Sequence, residues 1–468
     1  MKTENKKSFQ LLTFNYIERG KLMKINPREV AVCILTEILN DGGYNNVVLR
    51  RTLDEYDDLS SLDRAFITQI VNGTIKNTIY IDYMISKFIK IKINKMDKDA
   101  LSILRSGVYQ LFFMDRVPES AVCNEAVKIS KNLCQKHIHG FINAVLRNII
   151  RNKGKIEFPE KNTNEYLEIM YSYPKWIIDM WTREYDYDTV LNMCQFLNSD
   201  PEVNICVNTT KIGVDDMVGL LESKQITVKK GKYVANNLRL SGTANITFLE
   251  EYKKGYFHVQ DESSMIAVEV LSPKEDEHIL DVCAAPGGKS FFAAIKMNNK
   301  GEIISGDIYD HKLDMIKEGA GRLGLSMIKP VVQDATIEDE KMEQRFDKII
   351  VDAPCSGLGI VRKKPDIKFN RTQKDIEELI KLQRNILENA SKYLKSGGIL
   401  IYSTCTLSKR ENIDNVNWFI ENFDFEMCDM TEFLPNNLKC DTAKQGYVEL
   451  LPHIYDTDGF FIARLKKL

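Results

Sequence analysis

The sequence predicts a multidomain chain: an all-α bundle at the front, a small α+β module in the middle and a Rossmann-like α/β domain at the end. Three observations predict it. Apolar residues recur at helical spacing through the first third. Short β-like runs flank one helical piece in the middle, and continuous apolar runs alternate with helical stretches at the end. At 468 residues the chain is too long for one ordinary domain.

Residues 1–24 read as a polar tail, and from Pro27 to Asn152 the pattern is helical. Val30, Ile34 and Ile38 form one stripe; Leu101, Leu104, Val108, Leu111 and Phe112 form another. Ser120–Leu133 and Phe141–Ile150 read as further helices, with Gly140 as a C-cap or turn between them, in a bundle of about six. This first domain is placed at 1–155. Residues 153–165 are polar and contain Pro, as a linker does. A helix around Trp176 and Trp181 follows, then the β-like runs VNICVNTT and YVANNLRLSG with the helical DDMVGLLESK between them. Linker helix and module together are placed at 156–250. From 251 to 468, HILDV, EIISGD, KPVVQD, KIIVDAP and GILIYST read as parallel strands covered on both faces. The helix before the last of these has Ile376, Leu379, Leu382, Ile386, Leu387 and Leu394 as its stripe and ends at Ser396-Gly397-Gly398. FDFEMCDM and GFFIARLKK close the chain as an antiparallel pair.

Composition narrows the function. Hydrophobic residues at 44% and charged residues at 28% describe a soluble globular protein. No apolar run approaches the ~18 residues of a membrane span, and the first residues lack a secretory h-region. The ten cysteines form no CxxC pair, so neither a zinc site nor a redox motif is expected. Reduced thiols and a cytoplasmic location are expected. Residues 1–155 hold 25 Lys and Arg against 16 Asp and Glu, a net of +9, so the remainder carries −11 of the overall −2. A basic front end suits a polyanion such as RNA, and it equally suits a merely solvated lysine-rich surface.

In a doubly wound sheet the ligand lies beyond the carboxyl ends of the strands. The first strand runs into Asp281-Val282-Cys283-Ala284-Ala285-Pro286-Gly287-Gly288-Lys289, small residues that let the backbone pass close to a ligand. The second ends at Asp307, fit to accept from ribose hydroxyls, and the third at Asp334, placed to meet an adenine amino group. Neither GxGxxG nor a P-loop lysine is present, so a cofactor with ribose and adenine but no phosphate fits best: S-adenosylmethionine. The competing reading is that both aspartates cap turns.

Two further strand ends carry thiols, Cys355 in Asp352-Ala353-Pro354-Cys355-Ser356-Gly357 and Cys405 in Ser403-Thr404-Cys405-Thr406. A sheet of order 3-2-1-4-5 makes these strands neighbours, so the thiols should face one cavity. A single cysteine is more often a small buried hydrophobe; two at adjacent strand ends point to chemistry. Carbon 5 of cytosine becomes nucleophilic once a thiolate adds to carbon 6. Asp352 is placed to hold the base edge, and Lys289 to favour a thiolate or neutralise the adduct. Arg362-Lys363-Lys364 follows, three cations suited to an RNA backbone or to a solvated loop.

The strings DVCAAPGGKS, VDAPCSGLGIVRKKPDIK and IYSTCTLSKREN resemble the motifs of the RNA cytosine-C5 methyltransferase family, and the helical front end resembles a NusB-like RNA-binding domain. The pairing is similar to the bacterial 16S ribosomal RNA cytosine-C5 methyltransferases over nearly the whole chain. GYFHVQDESS matches the segment leading into their methyltransferase domain. The resemblance implies a C-terminal class I methyltransferase domain with Cys405 as nucleophile and Cys355 aiding release. It implies that Cys283–Lys289, Asp307, Asp334 and Asp352 lie on the cofactor side. It suggests position 967 of the small-subunit RNA as target. It also implies an Arg before Val-Asn where this chain has Cys206, and hence one lost phosphate contact.

Two other readings compete. A DNA cytosine methyltransferase would use the Pro-Cys thiol, exchanging the roles of Cys355 and Cys405; the second thiol and the helical front end speak against it. A non-enzymatic RNA-binding assembly factor would keep only a vestigial pocket. The reading adopted is a monomeric, cytoplasmic enzyme without a metal, acting on 16S ribosomal RNA that is unassembled or partly assembled, because the thiols are reached only by an unstacked base.

Overall fold

The structure, a computed structural model, describes residues 25–56, 58–242, 246–438 and 440–468; the expected polar tail at 1–24 lies outside them. The chain divides into two compact units, 1–158 and 159–468.

The first unit is all-α, with seven α-helices among the described residues: α1 (Pro27–Asp41), α2 (Asn45–Asp54), α3 (Ser61–Lys76), α4 (Thr78–Ser86), α5 (Lys98–Phe113), α6 (Glu119–Leu133) and α7 (Lys136–Arg151). Helix α1 starts where the Asn26 side chain accepts from Arg28 N, with Pro27 in the first turn, and stops at Gly42 in the left-handed region, φ 76°. The stripe on α5 is buried against α6 and α7 around Leu104, Val108, Val122 and Leu146. Gly140 does not break the chain. It lies inside α7, and the interruption is at Cys134-Gln135. An exposed glycine costs a helix only about 1 kcal/mol, and the buried stripe Ile142, Val145, Leu146 and Ile149 outweighs it.

The second unit opens with three helices, α8 (Asn164–Tyr171), α9 (Lys175–Glu184) and α10 (Tyr187–Leu197), packed around fully buried Tyr173 and Trp181. Next comes a four-stranded antiparallel sheet of order β2-β3-β1-β4, made of β1 (Val203–Val207), β2 (Thr227–Lys230), β3 (Asn237–Ser241) and β4 (Phe257–Val259). Ile205, Val207, Leu238 and Phe257 pack on Met217 and Leu221 of α11 (Val214–Ser223). Cys206, on the opposite face, is fully buried in a core that includes Met265 and Phe292. Strand alternation therefore turns position 206 inward, and the expected change in a phosphate contact there has no basis.

The large sheet has the order β10-β12-β9-β8-β5-β6-β7, with β11 paired to β12. Its parallel strands are β5 (His278–Asp281), β6 (Glu302–Asp307), β7 (Ile328–Val332), β8 (Phe346–Asp352) and β9 (Leu394–Thr404). In chain order these run 3-2-1-4-5, as expected. The strands β10 (Phe425–Met427), β11 (Tyr447–Leu450) and β12 (Phe460–Lys467) form the antiparallel edge. FDFEMCDM and GFFIARLKK do pair, and β11 is an addition the sequence did not reveal.

Continuous apolar runs are explained by cover on both faces. Ile279, Ile303, Ile350, Ile401 and Ile462 face the layer of α12 (Glu262–Leu271), α13 (Gly288–Lys296) and α14 (Asp310–Leu323). Leu280, Ile304, Ile349, Leu400 and Phe461 face α15 (Gln373–Tyr393) and α16 (Ile413–Asn422). Helix α15 starts with a capping box between Thr372 and Asp375. It ends at Tyr393, earlier than expected. Leu394 already pairs with Phe346, and the glycine pair sits in a bulge where the register moves to Lys348↔Ile399.

Candidate active site

Five parallel strands deliver the site. At the end of β5 the turn Cys283–Gly288 leads into α13, and Gly287 there has φ 109°. A Cβ on Gly287 would stand 2.4 Å from Phe291 Cζ, so this turn requires glycine. Asp281 is buried, its Oδ2 accepting from Ser290 Oγ at 2.7 Å while Oδ1 has no hydrogen-bond partner. Burial pushes the Asp281 carboxyl up to about 7, against the Ser290 hydrogen bond and with the Asp352 charge adding. Burial likewise raises the Cys283 thiol far above its ordinary value.

Asp307 is buried at the end of β6, with Lys312 Nζ 3.3 Å from its Oδ1. Asp334 stands two residues beyond the last residue of β7, and its Oδ1 accepts from Thr336 N at 2.9 Å and Thr336 Oγ1 at 2.6 Å. It therefore forms a turn, and the same carboxylate borders the strand ends. Between them Gln333 is buried with Oε1 unpartnered, beside Gly306, where a Cβ would lie 2.8 Å from that oxygen. A narrow glycine turn, two carboxylates at successive strand ends and two unpartnered buried oxygens suit a ligand rich in hydroxyl and amino donors.

On the other side of β5, the thiols converge as expected. Cys355 Sγ and Cys405 Sγ are 3.3 Å apart, both partly exposed. The hydrogen bond to Cys405, then burial, push the Cys355 thiol well above its usual range. Asp352 lies beside them, with Lys289 Nζ 2.6 Å from its Oδ2 and Ser403 Oγ donating to its Oδ1 at 2.9 Å. Lys289 is almost buried and sits 5.1 Å over the Phe460 ring. Of the predicted site residues, Cys355, Cys405, Asp352 and Lys289 are thus brought together.

Beneath the thiols lies a buried polar network that the sequence reading missed. Glu411 Oε1 accepts from Ser356 N at 2.8 Å and Gln383 Nε2 at 3.1 Å; its Oε2 accepts from Ser356 Oγ at 2.6 Å. Ser356 Oγ and Thr406 Oγ1 are 2.6 Å apart. Gln383 also donates to Pro354 O at 2.9 Å. Asn412 accepts from Thr404 Oγ1 at 2.5 Å and donates to Thr406 O at 3.1 Å, bracketing Cys405. Gly359 N donates to Cys405 O at 2.9 Å, and Gly459 N donates to Gly359 O at 2.9 Å. Leu358, Val361 and Leu407 carry both cysteine turns into the core of α8–α10 around Trp181. The only signal in the sequence was that Glu411 and Asn412 close the Cys405 string IYSTCTLSKREN.

The three cations after Cys355 do not form a free strip. Arg362 is buried 4.5 Å from the centre of the Phe196 ring. Lys363 is held by Asp261 at 2.5 Å and Asp458 at 2.6 Å, and these charges raise its pKa against burial. Lys364 alone of the three is exposed. Burial of Arg362 and ion pairing of Lys363 make both unavailable to a backbone phosphate.

A glycine turn after the first strand and two thiols after the fourth and fifth, on a sheet of this order, define a Rossmann-like methyltransferase of the S-adenosylmethionine-dependent class. Residues 268–466 match the family model described as 16S rRNA methyltransferase RsmB/F, 25–151 match the NusB family, and 173–247 match the ferredoxin-like domain of RsmF/B-like methyltransferases. The chain is 35% identical to the probable ribosomal RNA small subunit methyltransferase B of Bacillus subtilis (strain 168), over 95% of this chain and 100% of that one. The crystal structure of PH0851 superposes with a TM-score of 0.80 at 27% identity, over 96% of this chain and 100% of that one. That of a methyltransferase homolog protein from Pyrococcus horikoshii superposes with a TM-score of 0.54 at 29% identity, over 64% and 98%. The chain belongs to the RsmB/F family of 16S rRNA methyltransferases.

Proposed function

We infer that this enzyme methylates carbon 5 of a cytosine in 16S ribosomal RNA, with Cys405 as the attacking thiolate and Cys355 assisting release. The observation that carries the reading is the 3.3 Å approach of two thiols at the ends of neighbouring strands, beside the Lys289–Asp352 pair. Bound S-adenosylmethionine supplies an electrophilic methyl group; Cys283–Gly288, Lys289, Asp307, Asp334 and Asp352 are the residues proposed to line its site. Cys405 Sγ adds to carbon 6, and the electron pair of the 5,6 double bond becomes available at carbon 5. Asp352, oriented by Lys289 and Ser403, holds the base edge and favours protonation at N3. After methylation solvent water takes the carbon-5 proton, its electron pair re-forms the 5,6 double bond, the Cys405–carbon 6 bond breaks with its electrons returning to sulfur, and the N3 proton is released to water. Cys355 remains a thiol at neutral pH, which equips it to offer S–H to the departing sulfur.

The domains divide the task. Residues 1–155 are proposed to dock RNA, 156–250 to carry the linker helix and the module except its last strand β4 (Phe257–Val259), and 251–468 to perform the chemistry. The target is read as position 967, presented by RNA not yet fully assembled and bound by a monomer. The test supplies the enzyme and labelled S-adenosylmethionine with naked 16S RNA and, separately, with mature small subunits. The expected product is 5-methylcytosine at one position, formed faster on naked RNA. A methyl group on another atom or base overturns the chemistry; faster reaction on mature subunits overturns the substrate assignment.

A further inference from the structure

The residues immediately after the two cysteines, Ser356 and Thr406, touch each other at 2.6 Å, and both lie on one buried carboxylate. Glu411 is fully inaccessible to solvent, so its burial must be offset by the hydrogen bonds it accepts. Those donors are Ser356 N, Ser356 Oγ and Gln383 Nε2, and Gln383 in turn holds Pro354 O. The backbone on both sides of Cys355 is thus anchored to Glu411, directly or through Gln383. Thr406, on the Cys405 side, completes the connection at 3.5 Å. The Glu411 carbonyl is itself fixed, accepting from Tyr402 OH at 2.6 Å, and Tyr402 lies on β9 three residues before Cys405.

We propose that Glu411 is a positioning residue that closes the Cys355 turn on the Cys405 turn and so sets the separation of the two reacting sulfurs. It touches neither the base nor the methyl donor; it acts through Ser356 and Thr406. Its charge lies behind Cys355 and disfavours a thiolate there. The proposal rests on the reading of Cys405 and Cys355 as the reacting pair.

The test compares the full-length wild type with Glu411→Ala, well below their melting temperatures. One readout is steady-state methylation of 16S RNA. The other needs no RNA: diamide oxidises two thiols to a disulfide while being reduced to its hydrazine, and peptide mapping gives the rate of the Cys355–Cys405 link. The variant is expected to lose at least about tenfold in kcat with KM for RNA and for S-adenosylmethionine within about twofold, since misplacing reacting groups by ~1 Å costs ~10²-fold. The disulfide is expected to form several-fold more slowly. A folded variant that cross-links at the wild-type rate overturns the proposal, whatever its kcat. If Glu411→Ala gives no cooperative melt, the double variant Ser356→Ala, Thr406→Val is read by the same criteria. Failure of the wild type to form 5-methylcytosine would sink the reaction assignment alone, because the cross-linking comparison decides the role of Glu411 without it.

Discussion

Asp281 shows how a single residue couples the site to stability. Its carboxyl is raised to about 7 by burial, whereas in the unfolded chain it titrates near ~4. A carboxyl with a raised folded pKa contributes stability that is complete below the unfolded value and lost as pH rises through the folded value. Asp281→Asn stays uncharged throughout. The variant is expected to match the wild type in thermal stability near pH 4 and to exceed it near pH 8. Parallel melting curves across that range would contradict the burial argument. At this scale the sequence was most informative where chemistry demands a residue type. Cys355, Cys405, Asp352 and Lys289 were legible because thiols after strand ends and an acid after an apolar run have few structural excuses. Glu411 was not, because a buried carboxylate is identified by its donors, and Ser356, Thr406 and Gln383 come from three different elements.

At the scale of elements, the strands and their order followed from continuous apolar runs, and the boundaries did not. Helix α15 stops before its glycine pair because strand pairing to β8 begins at Leu394. Gly140 stays helical because the buried stripe Ile142, Val145, Leu146 and Ile149 outweighs its cost. The helix around Trp176 and Trp181 read as a linker; in the structure α8–α10 form a floor under both cysteine turns through Leu358, Val361 and Leu407. The two turns also meet at a glycine contact. A Cβ on Gly359 would lie 2.0 Å from Gly459 O and 2.9 Å from Cys405 O, both backbone atoms that cannot swing aside. Gly359→Ala is therefore expected to cost about 1–3 kcal/mol by overpacking and to lower kcat, measured by denaturant unfolding alongside methylation assays. A variant with unchanged stability and activity would show that the turns are not coupled at this point.

Over the whole molecule, charge is unevenly distributed along the chain. The first unit carries the basic excess and has its own helical core; the second holds the donor turn, the thiols and the small sheet. Composition could suggest a polyanionic partner but could not place the contacts, and two of the three cations nearest the thiols proved to be internally paired. No helix among the described residues is long and apolar enough to cross a membrane. The proposed reading assigns RNA docking to the first unit and the chemistry to the second. The proposed mechanism turns on one sulfur, the one that bonds to the base. Its identity is read most directly by incubating wild type, Cys355→Ala and Cys405→Ala with 16S RNA and S-adenosylmethionine and resolving covalent protein–RNA species under denaturing conditions. Accumulation of the covalent species in Cys355→Ala and its absence in Cys405→Ala is the expected result; accumulation in Cys405→Ala and absence in Cys355→Ala would exchange the two roles and contradict the mechanism.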